Sequence, residues 1–350
     1  MKKIMFAIAG IMLALLPLGA QDIDSYYPGA GEGIAFFLPK TALEVNIIAT
    51  KVEYTPGEYC QYANRYMRLN NIKGEAETHW EIKEINVKSV GVPDSTKAYI
   101  VKLKDREVLS NITLTSDGII WAINDTPEAT DDDDDYELEK PQKHENPRNY
   151  MTEEILSAGS TAKMAELTAK DIYNIRESKN LILRGQAETL PKDGASLKLI
   201  IDNLDKQEKV MMQLFSGIED RTDKLFTFRI SPDENLKNAV VARFSIHNGV
   251  VDKDDLSGTP IYISVTSTSP LANAIDEYYR RPTNGVMFNM PGKGRVKVTY
   301  NGESQFDKEL PVTQFGTYEL LSSKIFTLKS NARVIFNPAT GQIVKIDKDM

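Results

Sequence analysis

Two periods alternate along the chain. From Ala42 to Glu53 β-branched residues crowd together before a turn at Thr55-Pro56-Gly57, so this stretch predicts a strand. Tyr59, Tyr62, Ala63, Tyr66 and Leu69 then recur at helical spacing, which predicts a short helix from Glu58 to Leu69. A tyrosine row can serve as a sugar-stacking platform, but at this spacing it reads as the packed underside of the helix. Trp80, Ile82, Ile85, Val87 and Val90 alternate with one phase slip, Lys97 to Leu103 gives another strand, and Ile112 to Ile123 folds back around Ser116-Asp117-Gly118 as a hairpin. One helix among several strands predicts a small α+β N-terminal domain over residues 34–124.

The helical period returns after residue 155 and then stops. Thr161 to Glu177 predicts a helix with Ser160 as its N-cap and Met164, Leu167, Thr168, Ile172 and Ile175 on its apolar side. After a turn at Leu190 to Gly194, the residues Leu197, Ile200, Ile201, Leu204, Met211, Met212 and Phe215 predict a second helix, ended by Gly217. Eight short strand patterns follow: Leu225–Ile230, Ala239–Ile246, Ile261–Thr268, Gly285–Asn289, Arg295–Tyr300, Tyr318–Leu321, Arg333–Phe336 and Gln342–Ile346. The last two are joined by Asn337 to Gly341 as a terminal hairpin. The expected fold is therefore α+β and β-rich, with a helix pair and then an antiparallel sandwich- or barrel-like part over residues 155–350.

Charge changes this picture in one place. The 350 residues carry 42 Lys and Arg against 50 Asp and Glu, a formal charge of −8. Residues 125–154 hold twelve acids, five of them consecutive from Asp131 to Asp135, against three bases. Three prolines interrupt the block, which predicts a solvated, disordered linker. Its −9 leaves +1 for the remainder, so the folded parts are nearly neutral. Nothing in that balance suggests a nucleic-acid binder. At the N-terminus, Lys2 and Lys3, the apolar run Ile4 to Leu16 and the small residues up to Ala20 follow the pattern of a cleaved signal peptide over residues 1–20. No later segment is apolar enough to span a membrane, so no transmembrane span is expected once the leader is removed.

Candidate chemistry is sparse. Cys60 is the single cysteine and is expected to be buried and inert, and three His leave little for metal ligation. Neither a Gly-x-Ser-x-Gly elbow nor a His-Glu-x-x-His pair occurs. Pro291-Gly292-Lys293-Gly294 lacks the spacing of a phosphate loop and reads as a hairpin turn. Asp252, Asp254 and Asp255 lack the glycine and glutamate of a calcium loop and read as a surface turn. No cofactor or metal is expected. Glu208 is the one polar intruder on the apolar face of the second helix. It is either a structural ion pair with Arg176 or Arg184, the simpler reading, or a general acid with a raised pKa.

A further set of motifs carries a resemblance. Phe37-Leu38-Pro39-Lys40-Thr41, Pro56-Gly57-Glu58-Tyr59 and Tyr62-Ala63-Asn64-Arg65-Tyr66 come early. Ala165-Glu166-Leu167-Thr168-Ala169, Ile172-Tyr173-Asn174-Ile175-Arg176-Glu177 and Pro191-Lys192-Asp193-Gly194 stand in the helical part, and Arg243-Phe244-Ser245 and Asp254-Asp255-Leu256-Ser257-Gly258 follow. With these the chain resembles domain-of-unknown-function family 4831, exported proteins of Gram-negative gut and oral anaerobes, over nearly the whole mature chain except the acidic linker. The resemblance implies a periplasmic or outer-envelope protein and assigns no catalytic residue. It also implies a bacterial group that O-glycosylates exported proteins at Asp-Ser/Thr motifs, which makes Ser95 in Asp94-Ser95-Thr96 a candidate modification site. The expected role is non-enzymatic, binding a protein, glycan or cell-surface partner or serving structurally. The alternative is a carboxylate-dependent hydrolase acting on an envelope or dietary polymer.

Overall fold

The computed structural model describes residues 23–25, 33–101, 111–127, 136–187, 193–269, 285–322, 325–327 and 330–348. The expected signal peptide and the run Asp131 to Asp135 lie outside the described residues. Among the described residues, three antiparallel sheets and one helical cluster make a β-rich α+β fold with a sandwich at its centre.

Long strands organise it. β1 (Ile23–Ser25) and the 22-residue β2 (Ile34–Thr55) both pair with the 25-residue β3 (Glu77–Val101), and β6 (Ile218–Ile230) pairs with the other side of β2. The second sheet holds β7 (Leu236–Ser245), β8 (Gly249–Val251), β9 (Thr259–Ser267), β10 (Gly285–Tyr300) and β11 (Glu303–Ser322), in the order β11-β10-β9-β7-β8. Alternating residues of β2 (Leu43, Val45, Ile47 and Ala49) meet Ile261, Ile263, Val265, Val296 and Val298 of the second sheet between the layers. The third sheet pairs β4 (Ile112–Leu114) with β5 (Ile120–Ile123), and β5 in turn with β13 (Ser330–Phe336). β12 (Phe326–Thr327) and β14 (Ile343–Lys348) also pair with β13, and β13–β14 is the expected terminal hairpin. A second core lies here, where Ile120, Ile123, Val334 and Phe336 cover Phe36 and Leu38 of β2 and Val286 and Met287 of β10.

These pairings run across the division between residues 34–124 and 155–350 drawn from composition. β2 belongs to the segment 34–124 and β6 to the segment 155–350, yet they share thirteen paired positions from Leu43↔Ile230 to Thr55↔Ile218. The third sheet crosses the same boundary at Ile335↔Ala122. Strand pairing between distant segments leaves no periodic trace in either one, which is why composition suggested a boundary.

Two further expectations change. The pieces Gly285–Asn289 and Arg295–Tyr300 form one strand, so Pro291 to Gly294 is not a hairpin turn. Residues Thr313 to Gly316 of β11 loop out opposite Pro291, and a Cβ on Gly316 would sit 2.0 Å from the Met290 carbonyl oxygen. The glycines serve close backbone approach rather than a turn. Lys97 to Val101 likewise continues from Trp80 to Val92 within β3, Lys102 and Leu103 lying outside the described residues, and the phase slip between Ile82 and Ile85 is a bulge at Lys83, where Ile48↔Glu84 is followed by Ala49↔Ile82.

The helices close one end. A 3-10 turn at Cys60–Tyr62 leads into α1 (Ala63–Met67), shorter than the expected helix. Tyr59 and Ala63 are fully buried against Phe215, so the tyrosine row packs inward as expected. Cys60 is half-buried rather than buried, because the 3-10 turn rotates it off the packed side. α2 (Glu153–Leu156) adds Ile155 to this core. α3 (Thr161–Leu183) starts on Ser160, whose hydroxyl accepts from the Lys163 N–H at 3.3 Å. α4 (Gly194–Ser216) starts on Asp193, whose carboxylate accepts from the Ser196 N–H at 2.8 Å. Gly217 ends α4 at φ 77°, a conformation that glycine adopts without strain.

Candidate functional site

The acidic segment is the largest departure from expectation. Residues 136–150 are not a disordered linker but a strap along the free edge of β6. The Asp223 N–H donates to the Glu139 carbonyl at 2.9 Å, and the Glu139 N–H donates back to Asp223 Oδ2 at 3.0 Å. The Tyr136 hydroxyl accepts from Asn46 Nδ2 at 3.2 Å, His144 Nε2 lies 2.5 Å from Asp220 Oδ1, and Lys206 of α4 pairs with Glu145 at 2.6 Å. The strap thereby covers backbone groups that an edge strand would otherwise present to other chains. Repulsion among its acids is relieved by the basic groups beneath it, which a reading of composition does not see.

Under the strap the outer face of the first sheet is polar and buried. Asp223 accepts from Lys83 Nζ at 2.5 Å and from the Thr50 hydroxyl at 2.6 Å. Burial pushes its carboxyl up, but these donors and the Glu139 N–H outweigh burial and hold it below the ordinary carboxylate range. Glu44 is held by Arg229 at 2.9 Å and Lys88 at 3.6 Å. Its cross-strand partner is Arg229, six residues from Asp223 on β6, so the two carboxylates stand about 20 Å apart along the sheet. Glycoside hydrolysis uses carboxyls about 5–10 Å apart.

Glu208 is resolved as an ion pair. Its Oε1 accepts from Arg176 Nε at 2.6 Å and its Oε2 from Lys179 Nζ at 2.9 Å, while Lys179 also bonds Asp205 at 2.7 Å. Burial pushes the Glu208 carboxyl up, yet the two cations win and hold it low. A general acid needs the opposite shift, so this geometry favours the ion pair, the simpler reading. Arg176 is the partner rather than Arg184, which caps the far end of α3. Lys179 was missed, although it lies one turn from Arg176 on the same helix face.

Ser95 is exposed at a bulge. Phe37↔Ala98 is followed by Pro39↔Pro93, so Asp94 to Lys97 arch out opposite the single residue Leu38. Asp94 Oδ1 accepts from the Thr96 N–H at 3.0 Å and the Thr96 hydroxyl at 2.6 Å, which leaves the Ser95 side chain outside that local bonding.

The most deliberate surface presentation is the loop from Asp252 to Gly258, between β8 and β9. Asp252 accepts from the Asp254 N–H at 3.0 Å and Asp255 from the Ser257 N–H at 2.9 Å, as in the expected surface turn. Arg243 of β7 fastens both ends, donating to the Lys253 carbonyl at 2.8 Å and the Gly258 carbonyl at 3.1 Å. At its crest Leu256 is 81% exposed, and Ile246 in the β7–β8 turn is 59% exposed. A leucine fixed in water by a braced loop is ordered without gaining burial within its own chain. Among the described residues, no group of three or more His, Cys, Asp or Glu side chains is arranged to hold a metal ion. No helix of the described chain is long and apolar enough to cross a membrane.

With this geometry in view, a family model for the domain of unknown function DUF4831 matches residues 32–344. The chain belongs to that family. No curated protein and no solved structure matches it.

Proposed function

We propose that the protein is exported to the periplasm or outer envelope and acts there without catalysis, by binding another protein. The observation that carries this reading is Leu256, held 81% exposed on a loop braced by Arg243. Exposed apolar side chains on rigid supports act as anchors in partner pockets. Asp252, Asp254 and Asp255 flank the leucine and outnumber the two adjacent cations, Lys253 and Arg243, so the fitting partner offers an apolar pocket rimmed by Lys or Arg. The hydrolase alternative draws no support from Glu44, Asp223 or Glu208, each of which is engaged by cations as a structural ion pair.

A photo-crosslinker at position 256, used on native envelopes, tests the proposal beside a glycan-array screen. Crosslinks to one envelope protein, lost when Asp254 and Asp255 are changed to Lys, support it. A glycan hit indifferent to Leu256→Ser, or no crosslink, overturns it. We also propose that Ser95 carries an O-glycan, supported by its exposure on the bulge; an unmodified intact mass of the native protein would refute this.

A further inference from the structure

The strap and the sheet beneath it are held by different forces. From Tyr136 to Asn146 no strap residue is buried, and only Tyr136, Leu138 and His144 are half-buried. Glu139 stands 3.8 Å from Lys83, Glu145 pairs with Lys206, His144 meets Asp220 and Tyr136 meets Asn46, so these fastenings are polar. The sheet face keeps its own partners without them. Asp223 retains Lys83 and Thr50, Glu44 retains Arg229 and Lys88, and the Asn46 side-chain oxygen accepts from the Thr227 hydroxyl at 2.7 Å, all within the sheet. A 3-10 turn at Pro147–Tyr150 follows the strap, and there Tyr150 packs on the helical core. The segment is therefore anchored where it enters the helices and held by polar contacts where it crosses β6.

We propose that residues 136–146 form a gate over β6, hinged at Pro147 and kept shut by its ionic contacts, which lifts while the sheet stays folded. A permanent cover is held by apolar burial, which salt does not screen, whereas exposed ion pairs are individually weak and are screened. The backbone bonding is equally slight. Along an antiparallel strand alternate residues aim N–H and C=O away from the partner strand. With Asp223 bonded to the strap, β6 turns the backbone of Glu219, Arg221, Asp223, Leu225, Thr227 and Arg229 outward. Among the described residues, Asp223 is the one of these six whose N–H bonds a backbone carbonyl of the strap. Lifting the gate therefore breaks one such bond and converts β6 from a covered strand into a free edge, the part of a sheet on which further strands add. The gate is independent of the Leu256 loop, which lies on the second sheet.

Residue-resolved amide exchange of the full chain tests this by comparing neighbours on β6. The Asp223 N–H faces the gate and the Lys224 N–H faces β2, so opening exposes the first and spares the second. Raising NaCl from about 0.05 M to about 1 M should speed exchange at Asp223 about tenfold and leave Lys224 protected. The variant E139Q/E145Q removes the two ion pairs from the strap side, where both side chains are exposed. At low salt its Asp223 amide should exchange about tenfold faster than in the wild type, with little further response to salt, and its circular dichroism should be unchanged. Exchange at Asp223 that neither salt nor E139Q/E145Q moves overturns the proposal. So does loss of protection at Lys224 in step with Asp223, the signature of a sheet that frays as a whole.

Discussion

The base and tip of one helix pair obey different rules. At the base, Tyr59, Ile172, Met211 and Phe215 are buried, and the Tyr59 and Phe215 rings meet edge to face with centroids 5.6 Å apart. At the tip the same helices, with the same apolar period, bury nothing fully. Periodicity gives the direction in which a side chain points, while burial depends on what the rest of the chain places there. The base is fitted to its own fold, whereas the tip gains little burial from it.

The largest test of this contrast is a pair of truncations. Phe215→Ala should cost about 3–5 kcal/mol in chemical denaturation, the usual cost of a fully buried aromatic. Leu199→Ala, about four turns away on the same helix, should stay within about 0.5 kcal/mol. Equal costs would erase the distinction.

The sheet offers the next test. Asp223→Asn should cost about 2–3 kcal/mol at neutral pH, since Lys83, Thr50 and the Glu139 N–H lose a charged acceptor. Because the Asp223 carboxyl is held low in the fold, its contribution is fully present above the ordinary carboxylate pKa of about 4 and lost as pH falls through the lowered folded value. Wild type and variant should therefore converge in acid, and a gap in melting temperature constant down to pH 2 would contradict the assignment.

Smaller effects divide the helix carboxylates. Glu208→Gln should cost about 1 kcal/mol and leave partner binding intact, because Arg176 and Lys179 are partly exposed and can turn to water. Asp171 differs, since burial alone pushes its carboxyl up. Its ionised form is disfavoured in the fold, so Asp171→Asn should raise the melting temperature at pH 7 by about 1–2 °C. That gain should shrink as the pH falls below the raised folded pKa of Asp171 and vanish below the ordinary carboxylate pKa of about 4.

Much of the fold was legible locally. The β13–β14 hairpin, the Ser160 cap, the Gly217 stop and the phase slip that became the Lys83 bulge were all written in short windows. What could not be read was non-local. The β2–β6 pairing joins residues more than 150 positions apart, and the strap is ordered by Lys83, Asp223 and Lys206, which lie elsewhere in the chain. The site was legible to the same extent. Arg176 could be named as the partner of Glu208 from helix positions, whereas the exposure of Leu256 depends on Arg243 reaching across a loop that looked only like a surface turn.

The central claim, that the base of the helix pair belongs to the fold while its tip gains no full burial among the described residues, is tested most directly by hydrogen exchange. Amides from residue 210 to 216 should be strongly protected and those from 197 to 207 should exchange much faster. Equal protection along α4 would contradict it.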